Sequence, residues 1–208
     1  MADIVIESGG TTGLPPLTAE RLRLFFANAQ PSSAIVEDGA TGEFRPAAVL
    51  VPIVNRPEGV TVLLTRRTDH LHHHPGQISF PGGRVEEDDD GPVHTALRET
   101  EEEVGLHPRH VELLGQLPLY RTGTGFQVTP VVGLVHPPFD LALDAFEVAE
   151  VFEVPLAFLI DRDNHRRETM FYRGRDRTYY AMPWRGYHIW GATAGMLVSL
   201  TDFIDEHI

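Results

Sequence analysis

The chain has 208 residues, a formal net charge of −13, 42% hydrophobic and 23% charged residues, and no cysteine. Such a composition belongs to a folded globular chain of about one domain, with no disulfide framework, thiolate nucleophile, iron–sulfur cluster or Cys-ligated zinc site. The acidic balance argues against nucleic acid or an anionic membrane as the main partner, because both repel net negative charge.

Residues 1–16 are rich in Gly, Thr and Pro and read as a loose lead-in. A helix is expected from Leu17. Leu22, Phe25, Phe26 and Ala29 fall at i, i+3, i+4 and i+7, and Pro31 closes it. Residues 32–45 read as linker, so the chain divides into an N-terminal segment with one helix (1–45) and a main domain (46–208). The N-terminus has neither the basic nor the apolar part of a secretory signal. No apolar run reaches the ~18 residues of a membrane span. The expected setting is cytoplasmic, with no membrane partner.

Two apolar runs, 47–54 and 60–67, flank the turn 55–59 and predict a hairpin. Pro52 points to an edge or a bulge in the first. A loop with His70, His72, His73 and His74 follows, then a short strand within 77–83 ending on a glycine turn. A helix is expected over 93–104, strands near 110–117, 127–135, 150–154, 168–173, 177–182 and 186–190, and a closing helix over 192–206. Strands interspersed with a few helices, without a βαβ repeat, indicate an α+β chain with α/β/α layering.

The segment 82–106 carries the chemistry. Pro92 suits a first helical turn, Asp90 is available as a cap, and Gly105 sits where a left-handed C-terminal residue belongs. Val93, Ala96, Leu97, Thr100 and Val104 share one face, and Glu99, Glu102 and Glu103 fan out on another. Carboxylates at i and i+4 repel, and two of these stand at the helix end that disfavours anions. A divalent cation relieves both penalties, and an oxygen-only donor set suits Mg²⁺ or Mn²⁺. A plain solvated acidic face explains the same spacing, and composition alone does not separate the two.

The run Arg98, Glu99, Thr100, Glu101, Glu102, Glu103, Val104, Gly105, Leu106 resembles the second half of the Nudix box, with Thr100 at an apolar position. Gly83 matches the leading glycine, although the gap to Arg98 is one residue longer than the pattern. The isolated glutamate of the pattern falls on Asp89 or Asp90. The resemblance implies a Nudix fold, a mixed sheet sandwiched between helices. It implies Glu99, Glu102 and Glu103 as metal ligands and Arg98 as the brace that orients them. It also implies hydrolysis of a nucleoside diphosphate linked to another group, with Mg²⁺ or Mn²⁺ polarising the phosphoryl oxygens. Glu103 is a candidate base as well as a ligand. Glu147 and Glu150 are further candidates, because 147–155 resembles the family's Glu-Val-x-x-Val-x-x-x-Pro segment.

Residues 63–83 resemble the signature of the coenzyme A pyrophosphatases of that family. Leu63, Leu64, Thr65, Arg67, Gly76, Phe80, Pro81, Gly82 and Gly83 match at the right spacing. Thr68 replaces serine and His72 replaces arginine, which alone of the two binds phosphate bidentately. The segments 124–133, 151–159 and 187–197 look similar too. Arg66, Arg67, His72, Gly82 and Gly83 are therefore candidate contacts for a coenzyme A-like diphosphate. Trp184, Tyr187 and Trp190 are aromatics that serve either as core or as a platform for a base. Alternatives are another substrate such as ADP-ribose or a dinucleotide, and a silent nucleotide-binding module. The resemblance also makes a homodimer the common oligomer.

Overall fold

The computed structural model describes residues 16–29, 33–70, 75–172 and 174–208. In chain order the elements are α1 (Ala19–Ala27), β1 (Ile35–Val36), β2 (Arg45–Arg56), β3 (Gly59–Arg67), β4 (Ile78–Ser79), β5 (Gly82–Arg84) and α2 (Pro92–Val104). There follow β6 (Val111–Gln116), β7 (Tyr120–Arg121), β8 (Phe126–Val135), β9 (Val148–Pro155), α3 (Leu156–Ile160), β10 (Arg166–Tyr172), β11 (Arg175–Trp184), β12 (Tyr187–Trp190) and α4 (Gly191–Asp205).

The backbone of the fold is a mixed sheet in the order β1-β7-β8-β2-β3-β4, with β5 also on β2, β6 on β8 and β9 on β3. The first apolar run lies at its centre. β2 runs parallel to β8, from Arg45↔Phe126 to Val54↔Val135, and antiparallel to β3 through the hairpin Arg56↔Gly59. A strand covered on both faces reads as continuous rather than alternating hydrophobicity, and β2 shows why. Ala47, Val51 and Ile53 join one core, and Ala48, Leu50 and Val54 join the other.

The second core is closed by α2 through Ala96 and Val104, with Val93 and Leu97 packed beside them. The first takes in Leu22, Phe25 and Phe26 of α1, Leu156 and Leu159 of α3, and Met196, Leu197, Leu200 and Ile204 of α4. Phe26 stacks on Phe203 at 4.3 Å between ring centroids. Removing a buried aromatic of this kind costs about 3–5 kcal/mol, so α1 is bound into the main body. This is the α/β/α layering expected. A separate three-stranded sheet, β10-β11-β12, adjoins α4 and β4.

Pro52 departs from expectation: it sits mid-sheet, not at an edge or a bulge. β3 pairs with β2 only from Ile53 onward, and β5 only up to Val49, leaving Leu50 to bond the carbonyl of Pro81. Backbone N–H groups alternate sides along a strand. The N–H that Pro52 lacks would thus face the gap between two partners, where it costs no ladder bond. The first helix ends at Ala27, two residues short of Ala29. Residues 1–15 and Pro31 lie outside the described residues.

Candidate active site

α2 begins at a glycine rather than an acidic cap. Gly91, not Asp90, is its N-cap, with φ 87° and no side-chain cap bond. Asp89 acts one step earlier. Its carboxylate accepts from the Glu86 N–H (2.9 Å), the Thr95 hydroxyl (2.8 Å) and the Arg98 guanidinium, through Nε at 2.9 Å and Nη2 at 3.0 Å. The His94 ring stands 2.8 Å away. Arg98 first, then the Glu86 amide, hold this carboxyl well below the usual carboxylate range. Asp89 also stands six residues after Gly83, where the box pattern has its isolated glutamate. The extra residue therefore falls between Asp89 and Arg98, a stretch that includes the turn at Gly91. The C-terminal end matches expectation, with Gly105 left-handed at φ 72°.

Arg98 is held by Asp89 and reaches two of the three glutamates. Its Nη1 lies 3.0 Å from Glu99 Oε1 and 3.0 Å from Glu102 Oε2. Glu103 is oriented differently. It is buried on the sheet side of α2, where Oε2 accepts the Gly82 N–H at 3.1 Å and Oε1 lies 3.5 Å from Arg67 Nη1. Burial pushes the Glu103 carboxyl up to about 7, against the pull of Gly82 and Arg67 and with the further push of Glu147 and Glu99. Burial also raises Glu99, with Arg98 opposing and Glu102 and Glu147 adding to the rise.

The two glycines make room for this arrangement. A Cβ on Gly82 would stand 2.4 Å from the Ala48 carbonyl oxygen, so the turn lies flat on β2 only without a side chain. A Cβ on Gly83 would stand 2.4 Å from the Glu99 carboxyl carbon, so this position leaves the carboxylate its space.

The segment 63–83 wraps the same place. Arg67 bridges Glu103 and Glu147, with Nη2 at 3.4 Å from Glu147 Oε2. Thr68, in place of the signature's serine, ties β3 to the segment before β9: its hydroxyl donates to the Phe146 carbonyl at 2.7 Å, and its N–H to that of Glu147 at 2.9 Å. Arg66, one residue earlier, turns to other partners. Its Nε lies 3.3 Å from Glu150, whose carboxylate also accepts the Tyr187 hydroxyl. A register irregularity in the β3–β9 pairing falls between Arg66 and Arg67. Of the two glutamates before and in β9, Glu147 thus faces the α2 carboxylates and Glu150 does not. His70 packs on Phe146 at 4.9 Å. His72, His73 and His74 lie outside the described residues.

The donor chemistry fits a hard dication. Glu147 raises the affinity of Glu99 and Glu103 for positive charge, and all three offer oxygen. Among the described residues, no three His, Asp or Glu side chains stand ready as a metal cage. The counter-charges to these carboxylates are guanidinia: Glu102 and Glu99 go to Arg98, and Glu103 and Glu147 to Arg67. Sequence reasoning placed these carboxylates together but did not find Asp89 as the anchor of Arg98, or the pairing of Tyr187 with Glu150. The first has a signal in retrospect, an acid nine residues before an arginine across a helix start.

A family model described as NUDIX domain matches residues 44–169, a span that holds Arg67, the glycine turn, Asp89, Arg98, the α2 glutamates and Glu147. The chain belongs to the Nudix family. Nudix hydrolase NudL of Escherichia coli K12, itself described as uncharacterized, is 42% identical over 156 residues, covering 75% of this chain and 81% of that protein. NudL of Escherichia fergusonii matches to the same extent. In shape, the Nudix hydrolase RenU of M. smegmatis has a TM-score of 0.49 at 23% identity, over 62% of this chain and 83% of that one. A MutT/nudix family protein of Enterococcus faecalis has a TM-score of 0.49 at 19% identity, over 90% of this chain and 69% of that one.

Proposed function

We propose that this Nudix chain hydrolyses the diphosphate bond of coenzyme A or its derivatives, giving 3′,5′-adenosine diphosphate and 4′-phosphopantetheine. The observation that supports it is the meeting of the two motif segments. The glycine turn and Arg67 of 63–83 contact Glu103 of the box directly. Glu99, Glu102 and Glu103 would hold Mg²⁺ or Mn²⁺, which when bound neutralises charge on the diphosphate and acidifies coordinated water. Glu102 would turn from Arg98 to do so, while the Asp89 contacts would keep Arg98 in place. Glu147 is the residue outside the box best placed to take a proton, since it already shares the field of Glu99 and Glu103. Arg67, which pairs with Glu103 and Glu147, would be the cation nearest to meet a phosphate at that site. Arg66 and His72 serve the substrate as further contacts.

A small-molecule diphosphate in a cytoplasmic setting, with no nucleic-acid or membrane partner and a homodimeric assembly, completes the reading. Among the described residues no helix is long and apolar enough to cross a membrane. Incubation of the pure protein with coenzyme A and Mn²⁺ or Mg²⁺, with products separated by chromatography, tests the proposal. Both products are expected. Their absence while ADP-ribose or a dinucleotide is cleaved refutes the substrate assignment and leaves the diphosphate chemistry standing.

A further inference from the structure

A cavity of about 530 Å³ opens beside the site, on the side of β3 that Arg66 serves. Its lining includes Arg66, Glu150, Arg185, Tyr187, His188 and Trp190. Arg66 is adjacent in sequence to Arg67, so the cavity begins one residue, about 3.8 Å of backbone, from the arginine on Glu103. Ile78, in the strand that leads to Gly82 and Gly83, forms part of the same wall.

The lining has a definite chemistry. Arg66 and Arg185 share the lining with one carboxylate, Glu150, which is engaged by Arg66 and the Tyr187 hydroxyl, and His188 beside them stands 3.7 Å from Glu168. In a chain of net charge −13, two guanidinia beside a single lining carboxylate are a local reversal that favours an anion. Planar surface lies beside it. Trp190 is part-exposed and lines the cavity, and Tyr187 is stacked on Phe152 at 3.8 Å.

Arg185 supplies an independent observation. It occupies the first of two turn positions between β11 and β12, with φ 43°, and Gly186 follows at φ 89°. Such a turn takes Asn-Gly or Gly-Gly at least cost. Arg185 is the one positive-φ residue other than glycine among the described residues. Its guanidinium lies over the Trp184 ring, 4.9 Å from the centroid. An arginine at positive φ on the rim of this cavity gives up the backbone ease of glycine for a guanidinium, which here rests on Trp184 beside the opening.

We propose that this cavity is the subsite for the phosphorylated-nucleoside end of the substrate. Arg66, Arg185 and His188 meet a phosphomonoester, and the Trp190 indole meets the base. The assignment rests on the diphosphate hydrolysis proposed above, and names which residues select the substrate. Arginine suits the task because its planar fork matches phosphate geometry.

The test compares coenzyme A with 3′-dephospho-coenzyme A, which carries the same diphosphate bond, in the wild type and in Arg185→Gly. Glycine relieves the backbone at this turn, and retention of the thermal melting point verifies folding. The wild type is expected to favour coenzyme A at least tenfold in kcat/KM, and Arg185→Gly to lower that ratio at least fivefold. An unaltered ratio overturns the proposal. Calorimetric titration of metal-free protein with 3′,5′-adenosine diphosphate, with AMP for comparison, reads the subsite without turnover. Weaker binding of the bisphosphate alone in Arg185→Gly supports the assignment even if coenzyme A is not the substrate. Equal binding in both proteins refutes it, whatever substrate is cleaved.

Discussion

Glu103→Gln is expected to act in opposite directions on turnover and on stability. The wild-type carboxyl is buried and raised from 4.5 to about 7. A raised carboxyl means that the native state binds its proton more tightly than the unfolded chain does. The associated stability is complete below about pH 4.5 and is lost as pH climbs through 7. With about 1.4 kcal/mol per unit, ionised Glu103 lowers native stability by about 3 kcal/mol at pH 8. Glutamine keeps an acceptor for the Gly82 N–H and carries no charge to bury. In EDTA the variant should therefore melt about 6–12 °C above the wild type at pH 8, given about 2–4 °C per kcal/mol for a chain of this size. The two should coincide at pH 4. Activity with Mn²⁺ should fall by several orders of magnitude. Calorimetric or fluorescence melts from pH 4 to 8, alongside initial rates, decide the matter. A melting difference that does not vary with pH removes the argument about burial, and near-normal turnover removes Glu103 from the metal site.

Gly83→Ala places a methyl group against the Glu99 carboxylate and should weaken Mn²⁺ binding by about 10–100-fold, the range seen for disturbed ligand support, as read by calorimetric titration. Asp89→Asn takes the charge from the anchor of Arg98. A similar loss in kcat/KM, with an unaltered circular dichroism spectrum, is expected. Saturation with Mn²⁺ at a hundred times its dissociation constant should add about 2.7 kcal/mol to the wild type and raise its melting point, while Glu99→Gln gains much less. Glu147→Gln removes a negative neighbour of Glu103, so the Glu103 titration in metal-free protein, followed by carboxyl NMR, should shift below the wild-type midpoint of about 7. A shift upward would contradict the geometry.

Much of this fold is written in local pattern. The runs 47–54 and 60–67 form the central hairpin, the helix expected over 93–104 runs from Pro92 to Val104, and the closing helix spans Gly191–Asp205. Amphipathic spacing and glycine punctuation are local signals, and they survive folding. The two-residue strands β1 and β7 left no trace, because their pairing Ile35↔Tyr120 depends on residues 85 apart in the chain. The five-residue α3 follows directly on β9 with no side-chain cap to announce it, so no helix is expected there. At the site, the clustering of carboxylates and the nearness of Arg67 and Gly82 follow from motif spacing. What did not follow was partner choice. Nothing in the spacing tells that Arg98 reaches Asp89, Glu99 and Glu102 while Glu103 goes to Arg67, since that depends on how α2 is rolled on the sheet.

Alternation along β3 sends neighbouring arginines to opposite faces, so a dipeptide becomes a partition with a cation on either side. One faces the box glutamates, and the other faces Glu150 and the β11–β12 turn. Exchanges in that turn alter the surroundings of Arg66 while the contacts of Arg67 with Glu103 and Glu147 keep their geometry.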